Sequence, residues 1–122
     1  MEDENIPLEA TAGSEPISTI ERDLIRNRII DAIKTCYDPE IPVNIYDLGL
    51  VYDVEVNEHG AARIIMTLTS PSCPAAQSLP SDVQERVSAA QGVRSAQVEV
   101  TWTPTWNPSM MSEVAKLTLG FM

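Results

Sequence analysis

Cysteine occurs only twice in the 122-residue chain, at Cys36 and Cys73, histidine once, at His59, and there are 8 basic residues against 18 acidic ones. Each scarcity excludes a class of function. With no CxxC pair and no second cysteine close to either one, the chain alone cannot surround a metal with four soft ligands, so any metal must draw further ligands from a second subunit, a partner or a small thiol. The two cysteines sit in unlike contexts, and in the cytoplasmic compartment expected for this chain a structural disulfide is disfavoured. A net charge of -10 disfavours a phosphate backbone or an anionic membrane surface as partner, so neither nucleic acid nor membrane is expected. The longest nearly uncharged stretch, residues 64–76, is interrupted by Thr, Ser and Pro, and nothing could span a bilayer. The acidic N-terminus lacks the basic-then-apolar pattern of an export signal, and a cytoplasmic location is expected. No Gly-rich phosphate loop, Ser-His-Asp set or Cys-His pair can be assembled, so the chain is not expected to be an enzyme.

What is present is enough for one core, since hydrophobic residues make up 43% of the chain. Residues 1–17 hold Glu2, Asp3, Glu4, Glu9 and Glu15 without a compensating base and predict a solvated, disordered acidic tail; residues 18–122 predict a single domain. Ser18-Thr19-Ile20-Glu21 has the spacing of a capping box. Ile20, Leu24, Ile25, Ile29, Ile33 and Cys36 then form a helical stripe that must end by Tyr37, because Pro39 disfavours helical geometry at Asp38. Leu50, Tyr52, Val54 and Val56 alternate with more polar neighbours as a half-buried strand. Residues 57–60 read as a hairpin turn, with His59 solvated, and Ala62, Ile64, Met66 and Leu68 repeat the alternation on the way back. A second helix carries Leu79, Val83, Val87 and Ala90, is closed by Gly92 and begins either at Pro74 or at Ser78, the later start removing the conflict with Pro80. A third strand places Ala96, Val98, Val100 and Trp102 on its core side. The last helix is capped by Asn107, starts at Pro108, carries Met111, Val114, Ala115 and Thr118 on one side and stops at Gly120. The order αββαβα predicts a two-layer α/β (α+β) domain with a three-stranded mixed sheet covered by helices.

Three places could carry chemistry. If Pro74 opens the second helix, Cys73 lies at the positive end of its dipole and is biased toward thiolate; otherwise it is a half-buried cysteine that fills space. Cys36, on the helical stripe, reads as buried and inert. The proline-stiffened run of residues 38–51 contains Asp38, Glu40, Asn44 and Asp47, able either to hold the turn or, for Glu40 and Asp47, to act as an acid–base pair, and Gly49 is placed for a conformation closed to other residues. Trp106, outside both the strand and the helix pattern, either packs the last helix or faces a partner.

Asp38-Pro39-Glu40-Ile41-Pro42-Val43-Asn44-Ile45 with Asp47-Leu48-Gly49-Leu50-Val51, then Met66-Thr67-Leu68-Thr69 leading to Cys73-Pro74, then the link from Trp102 to Pro108, resemble the SufT/PaaD-like family of metal-sulfur cluster assembly factors over residues 20–122. The resemblance implies a maturation factor for iron–sulfur proteins that works with SUF-type assembly proteins and client apoproteins. Cys73 then becomes the contact to iron or to a transient iron–sulfur cluster, shared across a homodimer or a partner interface. Asp38, Glu40, Asn44, Asp47 and Gly49 become its functional loop, and Thr67, Thr69, Ser70 and Pro74 the surroundings of the cysteine. Where relatives commonly have Asp-Pro-Pro-Trp this chain has Thr103-Pro104-Thr105-Trp106, so no carboxylate comes from that link. The absence of a cysteine-rich tail favours the SufT-like branch. The alternative is a PaaD-like adaptor without metal, in which the loop and Trp106 bind a protein and Cys73 only packs.

Overall fold

A computed structural model of the protein describes residues 16–38, 41–69 and 78–120. The helical stripe becomes α1 (Thr19–Ile33), with Ser18 Oγ accepting from the Glu21 N–H as its cap and Ile25, Ile29 and Ile33 facing inward. A one-turn helix that periodicity cannot reveal follows as α2 (Ile45–Leu48). Strands β1 (Val51–Val56) and β2 (Ala61–Met66) pair antiparallel. Helix α3 (Leu79–Ser88) crosses over to β3 (Ser95–Val100), which pairs parallel with β2. A 3-10 turn (Pro108–Met110) and α4 (Glu113–Leu119) complete the order.

The sheet is therefore mixed, with β2 central. Along β1 and β2, alternate side chains Val54, Ala62, Ile64 and Met66 turn toward one face, where they meet Ile25, Ile29 and Ile33 of α1 and Leu79, Val83 and Val87 of α3 in one apolar core. The opposite face carries polar groups. There Arg63 lies between Glu55 and Glu99, donating from Nη1 to Glu55 at 3.3 Å and from Nε to Glu99 at 2.8 Å. The guanidinium beside Glu99 holds that carboxyl below its ordinary value, and the pair is exposed, so its share of stability is small. No helix among the described residues is long and apolar enough to cross a membrane.

The six expected elements are present; one of two open alternatives is realised and two details differ. The second helix has the later of its two possible starts: Leu79 is its first residue and Pro80 falls in its first turn, where the missing N–H breaks no intrahelical bond. Trp102 is not core. It lies two residues beyond the end of β3, past the point where alternation dictates direction, and it is 43% exposed. The last helix is split, because Met111 is extended at φ -69° and ψ 150° and a new cap, Ser112, starts α4. Met111 and Ala115 face the core at this spacing, while Val114 turns out to solvent.

Candidate functional site

The exit of β2 is where the two motif runs meet. A row of backbone hydrogen bonds ties them: the Ile45 N–H donates to the Cys36 carbonyl at 2.9 Å, the Leu50 N–H to the Ile45 carbonyl at 3.1 Å, and the Thr67 N–H to the Leu50 carbonyl at 2.8 Å. The loop after α1, the turn α2 and the segment leaving β2 are thus laced into one end of the molecule. The third run joins from the other side, where the Ser112 N–H donates to the Asp47 carbonyl and the Trp106 indole Nε1–H to the Leu48 carbonyl, at 2.8 and 2.7 Å.

Within this cradle the expected loop residues divide by task. Asn44 caps α2, its Oδ1 accepting from the Asp47 N–H and its Nδ2 donating to Asp47 Oδ2, both at 2.9 Å. Gly49 closes α2 at φ 84°, and a Cβ there would stand 2.4 Å from the Met110 carbonyl oxygen, so only glycine fits. Asn44, Asp47 and Gly49 therefore hold the turn together. Asp38 is different. With Thr67 it is one of the two polar residues buried among the described ones, at 5% and 0% exposure, and it is not left without a partner. Thr69 is half-buried. Trp106 is half-buried against the core, with its indole nitrogen bonded to the backbone, and the exposed aromatic of that link is Trp102.

Glu40, Ser70, Cys73 and Pro74 lie outside the described residues. The helix-dipole support for a Cys73 thiolate is not supplied by α3, whose first residue comes six positions later. Cys36 is buried as expected. Burial pushes its thiol above the ordinary value, opposed by the Arg86 charge and a hydrogen bond with Thr35, which makes it a poor nucleophile and a poor ligand. Among the described residues no three His, Cys, Asp or Glu side chains come together to hold a metal ion.

Residues 26–100 match the model of a family described as iron–sulfur cluster assembly protein. The chain belongs to that family. A Porphyromonas gingivalis protein named Fe-S protein maturation auxiliary factor is 47% identical over 102 residues, 84% of this chain and 92% of its own length. The Staphylococcus aureus Fe-S protein maturation auxiliary factor SufT is 37% identical over 83 residues, 68% of this chain and 94% of its own. A crystal structure of a domain of unknown function from Bacillus anthracis superposes with a TM-score of 0.78 at 37% identity, covering 86% of this chain and 100% of that one. The SufT-like resemblance and the fold class expected from the sequence both stand, and with them a general role in iron–sulfur cluster assembly.

Sequence reasoning missed α2, the Trp106–Leu48 bond and the buried Thr67 hydroxyl. The first had a signal: Asn44 followed at three residues by Asp47 and at five by Gly49 places an N-cap, an acidic first turn and a left-handed C-cap around one helical turn. The other two are tertiary facts with no local signature.

Proposed function

We propose that this member of the iron–sulfur cluster assembly family is a non-catalytic maturation factor that receives or presents iron or a transient cluster through Cys73. Acting with SUF-type assembly proteins, it delivers this cargo to client apoproteins. The observation that supports the reading is the burial of Asp38 and Thr67, one from each motif run, at an end of the domain where backbone bonds lace those runs together. An unpaired buried hydroxyl is costly, and a fold that places Thr67 at the head of the segment leading to its remaining cysteine has the form of a site. One sulfur cannot fill the valence of iron or hold a cluster, so the remaining ligands come from a second copy of the chain or from the donor and recipient proteins. That incomplete ligation suits a carrier, which must release what it holds.

The test is Cys73→Ser in cells whose client iron–sulfur enzymes are assayed. Client activity should fall to the level of cells without the protein while the melting temperature of the purified variant stays at the wild-type value. Unchanged client activity would remove the cysteine from the function.

A further inference from the structure

Thr67 carries the unusual polar atom of this domain. Its side chain has no solvent exposure, and its Oγ1 has no hydrogen-bond partner. A buried hydroxyl in that state destabilises the fold, and most folded chains avoid it. Thr67 follows directly on β2, where alternation aligns it with Arg63 and Ile65 and not with the core residues Ile64 and Met66. Its backbone is fixed by the Leu50 carbonyl, and the chain continues through Leu68 and Thr69 toward Cys73. A trapped water would need two or more polar partners. The other buried, unpartnered side-chain atom among the described residues is Arg22 Nε, in the first turns of α1. That turn is tied through Ile17 to Glu58 in the β1–β2 hairpin, at the opposite end of β2.

We propose that Thr67 Oγ1 is held in reserve as the hydrogen-bond donor to an anionic sulfur of the cargo, a thiolate or an inorganic sulfide, at the exit of β2. This rests on the carrier reading above. A hydroxyl has one proton to donate, sulfide and thiolate are acceptors, and hydrogen bonds to sulfur set both the orientation and the potential of iron–sulfur groups. Thr67 is then a positioning residue that does not itself ligate iron.

Two variants separate this role from a structural one. Thr67→Val keeps the shape and removes the hydroxyl, and Thr67→Ser keeps the hydroxyl. Without cargo, the Val variant should melt higher than wild type by about 5 °C, because an unpaired buried donor has been removed. After anaerobic loading with ferrous iron and inorganic sulfide, it should bind roughly 10- to 100-fold more weakly, with an altered visible absorption spectrum, while Ser retains the wild-type spectrum. A Val variant that melts lower than wild type would show that the hydroxyl already has a partner and would overturn the proposal, as would a Val variant that loads with wild-type affinity and spectrum. If wild type loads and only the Val result fails, the carrier reading survives alone; if wild type takes up neither iron nor sulfide, the Thr67 proposal falls, and the carrier reading is decided by the Cys73→Ser assay in cells.

Discussion

Gly49→Ala is the sharpest single perturbation of the cradle, and its cost can be built from two parts. The backbone at this residue has φ 84°, a left-handed conformation that costs a residue with a Cβ about 1–2 kcal/mol. The new Cβ would also stand 2.4 Å from the Met110 carbonyl oxygen and 2.8 Å from its carbon, both backbone atoms that cannot rotate away. Forcing them apart strains the 3-10 turn, which Ser112 pins to Asp47, and overpacking of this kind adds about 1–3 kcal/mol. Gly120 supplies the control, since it has φ 82° and a Cβ added there would meet no atom within 4 Å, so Gly120→Ala carries the conformational part alone. Chemical denaturation followed by far-UV circular dichroism should find Gly49→Ala less stable than wild type by about 2–5 kcal/mol, and Gly120→Ala by about 1–2 kcal/mol. In thermal melts each kcal/mol corresponds to a shift of about 4–8 °C for a domain of this size. Equal losses in the two variants would refute the reasoning, because the close approach of Met110 would then contribute nothing.

Trp106→Phe keeps an aromatic ring but removes the donor to the Leu48 carbonyl and some packing volume; urea unfolding should show a loss of about 1–3 kcal/mol, whereas Trp102→Phe in the same link should stay within about 0.5 kcal/mol of wild type. In a Cys73→Ser background, native Cys36 should resist iodoacetamide at pH 8 and react at the rate of a free thiol once the chain is unfolded in urea. Because burial raises the Cys36 thiol above its ordinary value of 9.0, the unfolded chain loses that proton first; the contribution of this group to stability should be level below that pH and decline above it, and Cys36→Ala should remove that part of the decline.

The fold was legible wherever local rules act alone. The Ser18 cap, the α1 stripe and the alternation of β1 and β2 are short-range patterns set by burial on one side, and the structure repeats them. Legibility ended where two local rules compete or tertiary contact decides. Pro80 allowed two helix starts, and the one that costs no hydrogen bond is the one observed. Trp102 continued the strand pattern on paper, but β3 stops at Val100 and the ring is left exposed. For the site, Gly49 announced its left-handed backbone through the turn chemistry around it, whereas the reason no side chain fits, the Met110 backbone 61 residues later, could not be read from sequence. The same holds for Thr67, whose burial and missing partner exist only once the chain is folded.

The motif run of residues 38–51 looks on paper like a cluster of ligands, with three carboxylates and an amide in ten residues. In the fold, the side chains of Asn44 and Asp47 are bonded to each other, the Asp47 carbonyl anchors Ser112, and Gly49 makes room for Met110. A residue that already caps a helix can bind iron only by giving up the cap, at about 0.5–2 kcal/mol for each such bond. Much of the specificity of the motif is therefore a requirement of shape: it builds a rigid wall against which the exit of β2 is fixed through Leu50 and Thr67. On the carrier reading this division of labour is what transfer demands. A wall of protein-bound polar groups orients the cargo without saturating it, and the metal's open positions are left to the proteins between which it passes.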